Sequence, residues 1–122
     1  MPRILRACTE SILCERLRQA FQSHTEFEVY GGMKNGADTI AKATEVHPDL
    51  VALQMASGPH SDFDTAEKLK RLLPRVPLFL VTPELTMAAE KEALHRGIDA
   101  VFRSEDDFTS LVMNARTVCG PE

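Results

Sequence analysis

The chain has 122 residues, of which 43% are hydrophobic and 26% are charged, and its formal net charge is −4. This length suits one domain with a core large enough to fold without disulfides, so we expect a single domain over residues 1–122. The acidic balance argues against direct binding to nucleic acid, and the absence of a long apolar run or secretory signal predicts a cytoplasmic protein without membrane contact.

The three cysteines, Cys8, Cys14 and Cys119, are odd in number and show no C-x-x-C spacing. A disulfide framework usually has an even number of cysteines, and a structural zinc site usually has closely paired ones. We therefore expect reduced thiols and no bound metal.

Five short apolar segments alternate with five amphipathic segments along the chain. Strands are predicted at Arg3–Ala7, 28–32, Leu50–Gln54, Leu78–Thr82 and Ala100–Arg103. Helices are predicted at 11–21, 35–47, 62–73, 84–96 and 106–118. Pro74 is expected to stop the third helix and Gly97 to cap the fourth. The alternation is typical of a doubly wound α/β fold, in which helices cover both faces of a parallel sheet.

Helical spacing predicts which face of each helix is buried. The inward residues are Leu13, Leu17 and Ala20 in the first helix, Ala37, Ile40, Ala41 and Thr44 in the second, Phe63, Ala66, Leu69 and Leu73 in the third, and Phe108, Leu111, Val112, Ala115 and Val118 in the fifth. The connection over 55–61 follows the third strand. It therefore lies at the carboxyl edge of the sheet, where open α/β sheets bind ligands, and function is expected there.

Several local sequences, taken in order, resemble the receiver domain of bacterial response regulators. They are Ile4-Leu5-Arg6-Ala7, Glu26-Phe27-Glu28-Val29 with Asn35-Gly36, the run from His47 to Leu53, the run from Val76 to Thr82, and the run from Ala93 to Ala100. Nearly the whole chain is similar to CheY-like receivers, above all those joined to a helix-turn-helix output domain of the NarL/LuxR type. The resemblance implies a flavodoxin-like sheet with strand order 2-1-3-4-5 and a role in two-component signal transduction by phosphorelay.

The chemistry of that family depends on acidic residues that this sequence lacks. The pair that holds Mg²⁺ after the first strand corresponds to Cys8 and Thr9. A thiol and a hydroxyl are poor ligands for a cation that prefers carboxylate oxygens. The phosphoacceptor aspartate corresponds to Gln54, whose carboxamide does not form an acyl phosphate.

The resemblance also carries over the positions of the family's switch. The lysine that pairs with the phosphoryl group corresponds to Ser104, and the aromatic residue of the fifth strand corresponds to Val101. Thr82 keeps the family's hydroxyl at the end of the fourth strand. Gln54 is either a fixed polar contact that imitates one signalling state or a neutral residue left after the site decayed. We prefer the second interpretation and expect the amide to be hydrogen-bonded, because burying it unpaired is costly.

Phosphoryl transfer rests on positioning and on charge neutralisation by a metal and a cation, so losing nucleophile, metal ligands and cation together leaves no partial mechanism. We therefore predict a phosphorylation-independent pseudo-receiver, not an enzyme, that needs no cofactor and acts through a protein partner the sequence does not identify. The resemblance further implies a docking or homodimer surface formed by helix 4, strand 5 and helix 5, including Met87, Val101, Arg103 and Asp107.

Two alternatives stay open. A conventional phosphorelay receiver could use another carboxylate, such as Asp49. A redox protein could use Cys8, because a helix N-terminus lowers the pKa of a nearby thiol, although free cysteine often only fills buried space. No helix-turn-helix segment follows, so the chain is expected to be either a stand-alone adaptor or part of a longer regulator.

Overall fold

The fold is taken from a computed structural model. It describes the backbone of residues 3–7, 11–22, 27–33, 36–54, 59–82, 87–103 and 108–119. Side chains are described for the same residues except 11–14, 32–33, 36–37, 54, 59–64 and 89.

The five strands form one parallel sheet in the order β2-β1-β3-β4-β5. The strands are β1 (Arg3–Ala7), β2 (Glu28–Met33), β3 (Leu50–Gln54), β4 (Leu78–Thr82) and β5 (Ala100–Arg103). Parallel strands need crossover connections, and a helix supplies each of them. The predicted fold class and strand order are confirmed.

Five helices cover the two faces of the sheet. They are α1 (Ser11–Gln22), α2 (Gly36–Val46), α3 (Pro59–Leu72), α4 (Met87–His95) and α5 (Thr109–Cys119). Side chains of α2, α3 and α4 join one apolar cluster with Leu5, Val51 and Leu80, whereas those of α1 and α5 join another with Ile4 and Phe79. Within the described ranges, no helix is long and apolar enough to cross a membrane.

The two clusters are built from different side chains. On the α2, α3 and α4 face the buried residues include four alanines, which are Ala7, Ala43, Ala66 and Ala93. On the α1 and α5 face they include four phenylalanines, which are Phe21, Phe27, Phe79 and Phe108. Phe21 meets Phe27 edge to face, with ring centroids 5.4 Å apart, and the Phe79 ring lies 5.2 Å from that of Phe102.

The strand predictions match four strands at both ends, and β2 extends one residue further, to Met33. The helix ends differ more. Helix α3 starts at Pro59, in keeping with the preference of proline for the first helical turn, and it ends before Leu73. Helix α5 starts at Thr109 rather than at 106, because Phe108 has a φ of 64° and a right-handed helix cannot pass through that conformation.

Two predicted helix faces need correction. In α2, Ala41 and Thr44 are exposed. The buried stripe is instead Thr39, Ala43 and Val46, with Ile40 half-buried. This stripe was missed because it starts with a polar residue. In α5, Val118 is 42% exposed and Cys119, four residues after Ala115, packs on the core in its place. Leu13, Ala37 and Phe63 have side chains outside the described set.

Helix α4 ends in a Schellman turn centred on Gly97. The Ile98 amide donates to the Ala93 carbonyl at 3.0 Å, and the Gly97 amide donates to the Leu94 carbonyl at 3.1 Å. Gly97 has a φ of +96°, and both Ala93 and Ile98 are buried in the same cluster. The predicted cap is confirmed, and it directs the chain from α4 into β5.

We expect Gly97→Ala to lower the free energy of unfolding by about 1–2 kcal/mol, because an L-residue is strained at positive φ. An added Cβ would meet only Lys70 Cγ, at an ordinary 3.6 Å, so the loss would come from the backbone and not from a clash. Urea unfolding followed by circular dichroism measures it. Gly97→Asn is the matched control and should lose less, since asparagine tolerates this conformation better. Equal stability of Gly97→Ala and the parent would contradict the capping role.

Candidate functional site

The carboxyl ends of four neighbouring strands define the candidate site. Strand β3 ends at Gln54, whose backbone is in register with Val81 of β4, and the preceding Leu53 is in register with Ala7 of β1. Gln54 therefore ends the central strand of the sheet, one residue beyond the last paired residue of β1. The position that the resemblance gives to the phosphoacceptor is the middle of the carboxyl edge, and it holds a carboxamide.

Thr82 ends β4 beside Gln54. It is only 4% exposed and takes part in an interaction. Its register partner on β5 is Arg103, which is exposed. The predicted position of Thr82 at the carboxyl edge agrees with this geometry.

Val101 is in register with Leu80 and packs, half-buried, against the cluster that faces α2, α3 and α4. Strand alternation puts Thr82 on the same face as Leu80. Val101 and Thr82 thus share one face of the sheet, as the family's switch residues would. A valine has no aromatic ring, and the assignment of Val101 to a switch position stays a prediction from the resemblance.

Cys8, Thr9 and Ser104 lie outside the described residues, as do Asp107 and the side chain of Gln54. The predictions that the edge lacks metal ligands and a lysine therefore stay predictions from the sequence. In the part of the chain whose side chains are described, no three His, Cys, Asp or Glu residues are grouped so as to hold a metal ion.

Asp49, the alternative phosphoacceptor, lies at the opposite edge of the sheet. Its carboxylate accepts a hydrogen bond from the Arg3 amide at 2.8 Å, and its own amide donates to the Arg3 carbonyl, also at 2.8 Å. These bonds join the amino ends of β1 and β3. Asp49 therefore has a structural role at the amino edge of the sheet. It does not belong to the carboxyl edge, where Gln54 and Thr82 lie.

Cys119 also lies at the amino edge, where its Sγ is 3.9 Å from the carbonyl oxygen of Asp49. Burial, and secondarily the charge of Asp49, raise the pKa of the Cys119 thiol to about 11. At neutral pH the group is therefore a protonated thiol and a poor nucleophile.

Sequence reasoning missed a cation just before the carboxyl end of β1. The guanidinium of Arg6 lies against Gly31 of β2, where an added Cβ would come within 2.5 Å of it. Burial and the neighbouring Arg18 lower the pKa of Arg6. The sequence signal was the pair Gly31-Gly32 inside a strand, since glycine there often marks a close approach of another group.

Arg16 of α1 forms a second contact that the sequence did not reveal. Its guanidinium lies 4.8 Å from the centre of the Phe108 ring, in the range of a cation–π interaction. Phe108 is buried, and its carbonyl accepts the first hydrogen bond of α5 from Val112 at 3.0 Å. The contact holds the start of α5 against α1.

Comparisons with known proteins point to one class. No family model matches the chain. The response regulator protein VraR of Staphylococcus saprophyticus is 27% identical over 78 residues, which are 64% of this chain and 37% of that protein. The chain thus matches well under half the length of the curated relative.

Solved structures agree over almost the whole chain. A LuxR-family DNA-binding response regulator from Staphylococcus aureus superimposes with a TM-score of 0.85 and 18% identity, covering 98% of this chain and 100% of that one. The receiver domain of the response regulator NarL from Mycobacterium tuberculosis gives a TM-score of 0.83 and 15% identity, covering 98% of both chains. The fold is that of response-regulator receiver domains, and the resemblance found in the sequence is confirmed.

Proposed function

We propose that this chain is a receiver-type domain of two-component signalling that acts by binding a protein partner and is not itself phosphorylated. The observation that carries the proposal is the place of Gln54, which ends the central strand at the carboxyl edge beside the buried Thr82. On this proposal the domain is not an enzyme and requires no cofactor.

The chemistry supports this choice. In a phosphorylatable receiver, a carboxylate oxygen attacks phosphorus and the donor's leaving group departs. Charge is neutralised by the metal and a cation throughout that step. A carboxamide is not a comparable nucleophile, and the sequence supplies a thiol and a hydroxyl at Cys8 and Thr9 in place of the acidic pair. Ser104 stands where the family has its lysine. The nucleophile, the metal ligands and the cation are thus all replaced, and none of them remains to compensate for the others.

The partner surface proposed from the resemblance is the one formed by α4, β5 and α5. Met87 at the start of α4 is 76% exposed, and Met113 on α5 is exposed as well. Arg103 is exposed on β5, whereas Val101 packs inward and contributes little surface. A protein partner or a second copy of the chain would find apolar area and a cation on this surface. Flexible methionines of this kind are common at adaptable binding surfaces.

The two alternative functions gain no support from the described residues. Asp49 is engaged with Arg3 at the amino edge, so a phosphorelay through Asp49 would take place away from Thr82. A redox function would depend on Cys8, which lies outside the described part of the chain, and Cys119 is held as a protonated thiol.

Acetyl phosphate with Mg²⁺ tests the proposal directly. We expect the unmodified protein to show no added phosphoryl group by intact-mass measurement, because Gln54 offers no carboxylate to attack phosphorus and expel acetate. A phosphorylatable receiver in the same reaction is the positive control. A hydroxylamine-sensitive phosphate on this chain would overturn the proposal. Peptide mapping would then show whether Asp49 or another carboxylate carries it.

A further inference from the structure

The last turns of α3 and the residues after it are strongly basic. The chain as a whole has 14 Lys and Arg against 18 Asp and Glu. Residues 68–75 reverse this balance, because they hold Lys68, Lys70, Arg71 and Arg75 and no acidic residue. A cationic surface on an acidic protein calls for a physical explanation.

One of these cations has a structural role. Lys70 Nζ donates to the Val76 carbonyl and to Asp99 Oδ2, both at 3.1 Å, and Asp99 Oδ2 also accepts from the Leu78 amide at 2.7 Å. Lys70 therefore joins α3 to the amino ends of β4 and β5. Nearby, Arg96 forms an ion pair with Glu67 of α3 at 3.3 Å. These contacts fix the end of α3 in place.

The other three cations are available to a partner. Lys68, Arg71 and Arg75 are exposed, and among the described residues none of them forms a hydrogen bond or an ion pair. Between them lies Leu72, which is 56% exposed. Lys68, Arg71 and Leu72 follow the spacing of one face of α3, which ends at Leu72, and Arg75 lies in the turn just after the helix. We call these four residues the α3 stripe.

Helix electrostatics account for only part of the α3 stripe. Cations in the last turn interact favourably with the partial negative charge at a helix carboxyl end, which explains Arg71. This effect fades within one turn and does not explain Lys68. It also gives no reason to expose Leu72 at the centre of three cations. An interaction surface explains all four residues.

We propose that the α3 stripe docks an acidic helical segment of a partner protein, with an apolar side chain on Leu72 and carboxylates facing Lys68, Arg71 and Arg75. Charge complementarity favours this occupant. A second helix can also present its side chains at the same three- and four-residue spacing as Lys68, Arg71 and Leu72. An anionic membrane would need a wider apolar face than one leucine, and nucleic acid would gain nothing from that leucine.

The α3 stripe lies away from the candidate pocket. Helix α3 leaves the carboxyl edge after β3 and returns to the amino edge before β4, so its last turn is at the edge opposite to Gln54 and Thr82. A partner bound to the stripe would leave the carboxyl edge free. The inference therefore does not depend on the proposed absence of phosphorylation.

A short helical peptide tests this inference. The peptide has a central leucine and carries glutamates three and four residues to either side of it. We expect saturable binding by fluorescence anisotropy, weakened by high salt, with amide shifts confined to residues around 68–75. The double variant Lys68→Glu/Arg71→Glu should bind about tenfold or more weakly, because it places like charges opposite each other. Lys91→Glu, which reverses an exposed cation on α4, is the matched control and should bind as the parent does.

Three results would overturn the inference. The first is no saturable binding of the peptide to the folded parent protein. The second is an equal loss of affinity in Lys91→Glu, which would mean that net charge and not the α3 stripe attracts the peptide. The third is tighter, Lys68- and Arg71-dependent binding to phosphatidylserine vesicles or duplex DNA than to the peptide, which would assign the stripe to another class of ligand. Circular dichroism of each variant checks that it is folded.

Discussion

The variant Cys8→Asp/Thr9→Asp/Gln54→Asp/Ser104→Lys should take up one phosphoryl group from acetyl phosphate in the presence of Mg²⁺. The substitutions restore the two metal-binding carboxylates, the nucleophile and the cation at the positions that the resemblance assigns to them. Thr82 is already present and buried at the end of β4. Intact-mass measurement would show the adduct.

The gain should appear only when the four changes are combined. Gln54→Asp alone supplies a nucleophile but no metal to neutralise the attacking carboxylate and the phosphoryl oxygens. The other single variants supply no nucleophile. Groups that act as a unit are strongly non-additive, so each single variant should stay unlabelled while the quadruple variant is labelled.

Gln54→Asp is the informative control, and we expect it to be less stable than the parent protein. A carboxylate at the end of a central parallel strand is partly desolvated, and the sequence has Ser104 where the family has its lysine. If the quadruple variant is folded by circular dichroism and still gains no adduct, then the positions assigned to the pocket are wrong. If Gln54→Asp alone is labelled, then the missing metal ligands and lysine are not what disables the site.

Phe79→Ala should lower the free energy of unfolding by about 3–5 kcal/mol, because it leaves a void in the core. Phe79 is 1% exposed on β4 and packs against Phe102 as well as the cluster under α1 and α5. The loss is large against a total stability of about 5–15 kcal/mol for a domain. Urea unfolding should be followed by circular dichroism, since the chain has no tryptophan.

Met113→Ala is the matched control for Phe79→Ala. It also removes a large apolar side chain from the α5 side of the molecule, but Met113 is exposed. We expect its stability to remain within about 0.5 kcal/mol of the parent. Similar losses in the two variants would mean that the packing between β4 and α5 is not as described.

The central strands could be predicted from sequence because burial on both faces produces a continuous apolar run. All five residues of β4 are buried, and four of them are apolar. The first residues of the helices were harder to predict, because the φ angle of a single residue can determine where a helix begins. The left-handed φ of Phe108 delays α5 by three residues relative to the prediction, and nothing in the local sequence demands that conformation.

The candidate site was predictable where it follows from strand ends. Gln54 and Thr82 end β3 and β4 as expected, because parallel strands place their carboxyl ends at one edge. The placement of the Arg6 guanidinium near this edge was not predicted. A charged residue within a buried strand does not by itself indicate where its side chain lies. The space over Gly31 is a property of two strands far apart in the sequence, so periodicity within either strand does not reveal it.

The unequal composition of the two faces of the sheet has a consequence for how this domain tolerates change. The phenylalanine-rich side is damaged mainly by truncation, because each lost ring leaves a void. The side covered by α2, α3 and α4 also has large aliphatic side chains whose truncation would leave a void, but its alanines are sensitive to enlargement, as in Ala66→Leu or Ala93→Leu. We therefore expect homologous chains to keep bulky residues at the phenylalanine positions beneath α1 and α5, and to keep small residues at the alanine positions where α3 and α4 approach the sheet.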